Sequence, residues 1–188
     1  MNLPNKLTVM RIFLVPVFMV FAILANLHGA WWMYLAAAII FAVASFTDFL
    51  DGNIARKHGL VTDFGKFADP LADKILTTTA FLYMMQAGVC DPIVLFVILA
   101  REFAVAGLRM VAAGAKDGRV IAANIWGKVK TVIQMLSVLV FYIGMSIPAA
   151  TEVVPTVACV LCWLCAAVTL LSGVIYLWDN RSFIKTAK

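Results

Sequence analysis

Charge is scarce in this sequence. Of its 188 residues only 13 % are Asp, Glu, Lys or Arg while 64 % are hydrophobic, and the mean hydropathy of +0.98 lies well beyond that of soluble globular domains. Cysteine is also sparse: four copies without framework spacing cannot staple a small secreted scaffold. There is no low-complexity tract and no internal repeat. These shortages exclude a soluble domain, a disordered chain, a collagen and a disulfide scaffold, and they leave an integral membrane protein. The 15 Lys and Arg against 10 Asp and Glu give a net charge of +5. That excess points to nucleic acid in a soluble chain and to inner-leaflet loops in a membrane protein, so the placement of the charges decides.

Apolar runs able to cross a hydrocarbon core of roughly 30 Å fall near Leu7–Leu27, Trp31–Phe46, Leu71–Val89, Pro92–Ala113, Thr131–Ile147 and Val153–Trp178. They predict an all-α bundle of six transmembrane helices forming a single domain over residues 1–188. The connections on one side, 26–30, 90–91 and 148–152, contain no Lys or Arg, whereas the other side holds 14 of the 15, all but Arg101. The positive-inside rule then places both termini and the two long loops in the cytoplasm, as an even number of spans requires. Trp31 and Trp32 at the outer edge and Tyr176 and Trp178 at the inner edge fit aromatic belts. A cleaved signal peptide is the rival reading of the first run; it is disfavoured because the run is too long and cleavage would leave five spans against the charge pattern. His28 and His58 fall on opposite sides and cannot share a site.

The acidic residues are crowded where a membrane protein should avoid them. Asp48, Asp51, Asp63, Asp69 and Asp73 lie in or beside one inner loop. The second apolar run supplies roughly 24 Å of helix before it ends near Asp48, and the third must begin early enough to carry Asp69 and Asp73 at its inner end. Asp48 and Asp51 are spaced i,i+3 and Asp69 and Asp73 i,i+4, so each pair shares a helix face. Four carboxylates facing one another at the membrane boundary repel or protonate unless cations neutralise them. An all-oxygen donor set without His or Cys fits two hard divalent cations, Mg²⁺ or Mn²⁺, rather than zinc. Gly52, Gly65 and Ala55 leave a small surface for a close-approaching ligand, and Arg56 carries a guanidinium suited to phosphate. The combination points to phosphoryl-type chemistry at the inner membrane surface. The structural alternative is a set of interfacial ion pairs with Arg56, Lys57, Lys66 and Lys74, with Asp63 solvating the loop.

Other residues carry less. Arg101 and Glu102 sit near the middle of the fourth run, where they either pair structurally or line a polar cavity; Glu102 and Arg109, seven apart, share a face. Cys159, Cys162 and Cys165 lie in the last apolar run without nearby charge and read as small packing residues, and Cys90 as a lone outer thiol.

Read as a string, Asp48-x2-Asp51-Gly52-x2-Ala55-Arg56-x8-Gly65-x3-Asp69-x3-Asp73 resembles the signature of the CDP-alcohol phosphatidyltransferase family, with all eight fixed positions matched. Asn2 to Asn5 with Leu7, Thr8 and Arg11, then Arg101-Glu102-Phe103, Val120 to Ala123, and Gly127-Lys128-x-Lys130-Thr131 with Gln134 resemble its bacterial branch with glycerol 3-phosphate as acceptor. The resemblance implies transfer of the phosphatidyl group from CDP-diacylglycerol to that acceptor, with CMP released. Asp48, Asp51, Asp69 and Asp73 would hold the two cations and Asp73 would also act as general base. Gly52, Ala55, Arg56 and Gly65 would border CDP-diacylglycerol. A homodimer is implied by the family alone, and the bacterial branch implies an inner membrane location; the cytoplasm-facing active site is already predicted by the loop charges, and no nucleic acid partner is expected. The acceptor is a dianion, for which Arg109, Arg119, Lys128 and Lys130 are the cationic candidates, with Arg11 and Arg181 as outliers. A sister transferase with inositol phosphate or serine as acceptor, and a small metal or ion transporter, are the competing functions; the transporter is disfavoured because no acid marks the outer half of the helices.

Overall fold

Each apolar run folds as one α-helix; most helices start before or run on past their apolar stretch, while α3 stops at Gln86, short of Val89, and α5 at Met145, short of Ile147. In the computed structural model they are α1 (Leu3–His28), α2 (Trp31–His58), α3 (Asp63–Gln86), α4 (Pro92–Gly114), α5 (Ile125–Met145) and α6 (Val154–Asp179), with a single 3₁₀ turn at Pro148–Ala150 and no strand among the described residues. The structure describes residues 3–58, 63–114 and 125–181, and within them the side chains of all but 3–4, 48–58, 63–67, 70 and 113–114. α2 continues past Phe46 to His58 and α3 starts at Asp63, eight residues before its apolar run. Backbone hydrogen bonding does not stop where apolar side chains do, so the acidic motif is carried on helix, and Asp63 opens α3 instead of sitting in a loop.

Short connections fix neighbours. α1 and α2 are joined through Gly29 at φ +65°, whose N–H caps Ala25 O at 2.9 Å, and α3 and α4 through Gly88 at φ +76°. Both positions need the left-handed conformation that glycine adopts without a Cβ penalty. α1 packs on α2 and α3, α5 on α2 and α6, and α4 on α6. Alanines 22, 25, 37, 38, 44, 80, 158 and 166 line the interior and let backbones approach, around an aromatic cluster in which Tyr142 meets Phe141 at 5.0 Å and Phe18 at 5.3 Å. Large apolar side chains such as Phe13, Phe96, Phe103 and Met110 point outward, an inversion expected of a membrane protein. Three helices, Asn5–His28, Ile125–Met145 and Val154–Asp179, are long and apolar enough to cross a membrane, and Trp31–Thr47 is a shorter apolar stretch.

The interior changes character along its length, and five helices agree on the direction. The buried face of α1 is Asn5, Thr8 and Arg11 at its start and Val15, Phe18, Ala22 and Ala25 beyond. On α5 the order is Lys130, Gln134, Ser137, then Phe141 and Tyr142; α6, running the other way, goes from Ala158 and Cys162 to Thr169, Ser172 and Tyr176. α3 passes from the half-buried Asp69 and Asp73 and the buried Thr77 to Ala80 and Phe81, and α4 from Val94 and Ile98 to the half-buried Arg101 and Glu102. The bundle therefore has an apolar half and a polar half, the latter at the end where α2 leads into α3 and α4 into α5.

At the opposite end α5 and α6 come so close that a Cβ on Gly144 would lie 2.5 Å from Val154 Cγ2. Gly144→Ala should lower stability by about 1–3 kcal/mol through overpacking, read as a drop in the unfolding midpoint in detergent. Adding Val154→Ala should recover most of it, and failure to do so would place the strain elsewhere.

Candidate active site

The polar half encloses a cavity of about 1390 Å³. α3 contributes Asp73 and Lys74, α4 contributes Arg101, Glu102 and Arg109, α5 contributes Lys128 and Lys130, and α6 contributes Tyr176. Ala42, Val43 and Phe46 of α2 with Val132, Met135 and Leu139 of α5 form an apolar wall, and Val43, Phe46 and Val132 are themselves exposed on the bundle's outer surface. One side of the site is thus charged and another is continuous with the lipid-facing surface.

On the acidic side, Asp69 and Asp73 are half-buried one turn apart on α3. Asp69 Oδ1 accepts a hydrogen bond from Thr8 Oγ1, which ties the first helix to the third. Thr8 and Arg11 are both 0 % exposed and lie one turn apart, with Asn5 one turn earlier. Asn5, Arg11 and Asp73 are all engaged in interactions of their own. Asp48, Asp51, Gly52, Ala55 and Arg56 stand on the C-terminal part of α2, and Gly65 on the first turn of α3, but their side chains lie outside the described residues.

The cationic side is organised around Glu102. Lys130, 5 % exposed, donates to its Oε1, Arg101 Nη1 approaches the same oxygen at 3.1 Å, and Lys74 Nζ lies 3.6 Å from Oε2. Arg101 is held from behind by Ser172 Oγ, which accepts from Nη2 at 2.9 Å. Gly173 makes room for its stem, since a Cβ there would stand 3.0 Å from Arg101 Cγ. Arg109 donates from Nε to Tyr176 Oη at 3.0 Å and its guanidinium sits 5.5 Å from the centre of that ring.

Of the acceptor candidates read from sequence, Arg109, Lys128 and Lys130 line this one cavity together with Asp73, and Arg119 lies outside the described residues. Arg11 belongs to the acidic side, on α1. Arg181 stacks on Trp178 at 4.8 Å. Gln134 is buried one turn from Lys130 but does not line the cavity. Tyr176 differs from its expected place in an aromatic belt: it is 2 % exposed and turned inward, while Trp31, Trp32 and Trp178 are exposed as a belt requires. An amphipathic ring fits a membrane interface and a polar pocket equally well, so composition cannot separate them. Cys162 and Cys165 pack in the core; Cys90, expected as a lone outer thiol, is instead 4 % exposed in the α3–α4 turn, packed into that same core with its Sγ directed at Asp91 O at 3.6 Å, and it forms no disulfide. Lys74, Ser172 and Gly173 were not singled out as binding residues by sequence. The signal that could have found them was the polar spacing Thr169, Ser172, Tyr176 along one face of an otherwise apolar helix.

Comparison with known proteins agrees with this geometry. The chain is 40 % identical over 194 residues to the CDP-diacylglycerol–glycerol-3-phosphate 3-phosphatidyltransferase of Bacillus subtilis (strain 168), covering 99 % of this chain and 98 % of that one. It is 37 % identical over 175 residues to the enzyme of the same name in Rickettsia felis, with 93 % of both chains covered. It is 36 % identical to the probable phosphatidylglycerophosphate synthase of Mycobacterium tuberculosis, covering 93 % of this chain and 79 % of that one. The family model described as CDP-alcohol phosphatidyltransferase matches residues 1–171, which takes in the motif on α2 and α3 and the lining of the cavity beside it except Tyr176: the chain belongs to the CDP-alcohol phosphatidyltransferase family.

Proposed function

We propose that the chain transfers the phosphatidyl group of CDP-diacylglycerol to sn-glycerol 3-phosphate, giving phosphatidylglycerophosphate and CMP. The observation that carries this reading is the single cavity in which Asp73 stands beside Lys74, Arg101, Arg109, Lys128 and Lys130. A carboxylate able to take a proton and a cluster of cations able to hold a phosphate dianion are what an acceptor with a hydroxyl and a phosphomonoester requires. The names of the bacterial relatives point the same way.

In this reading glycerol 3-phosphate enters from the cytoplasm and its phosphate is held by Lys130, Lys128 and Arg109. Its free primary hydroxyl gives its proton to a carboxylate oxygen of Asp73 and attacks the phosphorus next to the diacylglycerol. The bond from that phosphorus to the CMP oxygen breaks, and CMP leaves with the electron pair. The apolar wall of α2 and α5 keeps the acyl chains toward lipid, and Gly52, Ala55, Arg56 and Gly65 border the nucleotide and its diphosphate. Asp48, Asp51, Asp69 and Asp73 are the residues to hold two divalent cations, Mg²⁺ or Mn²⁺. The fit rests on an all-oxygen donor set and on Asp69 and Asp73 half-buried one turn apart. When bound, such cations neutralise charge on the diphosphate and on the leaving CMP. Six spans with both termini cytoplasmic, in a bacterial inner membrane and as a homodimer, complete the reading; the charge asymmetry of the loops supports the orientation.

The test is CMP release by purified protein from CDP-diacylglycerol, offered glycerol 3-phosphate, inositol 1-phosphate, serine and glycerol in turn. Release is expected with glycerol 3-phosphate, to be lost in a chelator and restored by Mg²⁺ or Mn²⁺. Release with another acceptor alone would replace the acceptor assignment. No metal-dependent release with any of them would refute the transferase reading.

A further inference from the structure

Glu102 is a carboxylate at the heart of a site that should attract anions. Its side chain is 17 % exposed, and cations from α3, α4 and α5 converge on it. The cavity as a whole is cationic: Lys74, Arg101, Arg109, Lys128 and Lys130 line it against Asp73 and Glu102. Three of these cations meet on Glu102 alone, and positive charge is left over for an anionic ligand.

The three cations are not equally fixed. Arg101 is gripped between Glu102 and Ser172 and its stem lies against Gly173. Lys74 and Lys130 are held by Glu102 through ammonium groups, whose three donors rotate freely on long stems. If the lysines turned to an incoming anion, Glu102 would still be compensated by Arg101, so their release does not strand a buried charge. Arg109, by contrast, is already turned to Tyr176.

We propose that Glu102 is a resident anion: it holds the ammonium groups of Lys74 and Lys130 until a phosphate monoester takes them over. Glu102 is then a positioning residue that also selects by charge. A neutral alcohol leaves the lysines on Glu102, and a singly charged phosphodiester competes for them less well than a dianion. The inference rests on the reading that the acceptor enters this cavity.

The chain has two glutamates, Glu102 and the exposed Glu152 of the α5–α6 connection, so ¹³C-glutamate labelling of the full-length Glu152→Gln protein makes Glu102 the one labelled carboxylate in its infrared spectrum. Titration with glycerol 3-phosphate, and separately with inorganic phosphate, should shift its antisymmetric stretch, saturating near the KM of the acceptor, while glycerol should leave it unmoved. No shift at saturating glycerol 3-phosphate overturns the proposal. In a parallel kinetic test, Glu102→Gln should tighten inhibition by inorganic phosphate about tenfold, as one removed competing charge predicts. Its kcat should fall and its KM for CDP-diacylglycerol should hold, and Glu102→Asp should return the inhibition constant toward that of the parent. Weaker or unchanged phosphate inhibition in Glu102→Gln would mean that Glu102 only builds the pocket, and would likewise overturn it. CMP release by the parent with an acceptor other than glycerol 3-phosphate would instead strike the function reading, and the infrared response to inorganic phosphate would still decide the role of Glu102 by itself.

Discussion

Asp73→Asn is expected to lower CMP release from CDP-diacylglycerol and glycerol 3-phosphate by about 10³-fold or more, with the protein still folded. General-base catalysis by a placed side chain contributes about 10²–10⁴-fold, and the same substitution removes one of the four carboxylates assigned to the cations. The fold should survive, because Asp73 is half-buried in the N-terminal half of α3 and its backbone carbonyl, which accepts from Thr77 Oγ1 at 2.9 Å, is untouched. The check is steady-state CMP release beside an unfolding midpoint in detergent. Activity within tenfold of the parent would remove Asp73 from the reaction. An unchanged KM for glycerol 3-phosphate at low kcat would place its role in the chemical step instead of in binding.

Lys130→Ala carries the second large effect. A charge-assisted hydrogen bond is worth about 1.5–3 kcal/mol, so the KM for glycerol 3-phosphate should rise about 10–150-fold while that for CDP-diacylglycerol moves by no more than about threefold. Arg109→Ala should act in the same direction and more weakly, since part of its guanidinium is committed to Tyr176. Lys130→Ala also removes one cation from Glu102, yet Arg101 and Lys74 remain, so the loss of stability should fall short of the roughly 3–5 kcal/mol typical of a stranded buried charge. Equal increases in both KM values would refute an acceptor pocket on this side of the cavity.

The six helices were legible in the sequence because long apolar runs announce themselves, and three of them are long and apolar enough to cross a membrane. Their ends were not, since α2 and α3 run on through polar residues that hydropathy discards. The helical setting of Asp48, Asp51, Asp69 and Asp73 was legible from their i,i+3 and i,i+4 spacing. The cations were legible as a class: Arg109, Lys128 and Lys130 do meet Asp73 in one cavity. Their arrangement was not. Glu102 gathers Lys74 from 28 residues upstream and Lys130 from 28 downstream, a convergence that depends on how α3, α4 and α5 are packed. Arg11 looked peripheral because it opens an apolar run, and only its complete burial beside Thr8 reveals an inward polar stripe.

That stripe constrains how the chain is made. Thr8 reaches its partner on Asp69, 61 residues later, and Arg11 shares its face. When α1 and α2 have left the ribosome, α3 has not, and the first helix must carry a buried hydroxyl and guanidinium into lipid with nothing from α3 to meet them. Such groups are costly in hydrocarbon, so α1 should linger at the insertion machinery or sit high in the interface until the third helix arrives.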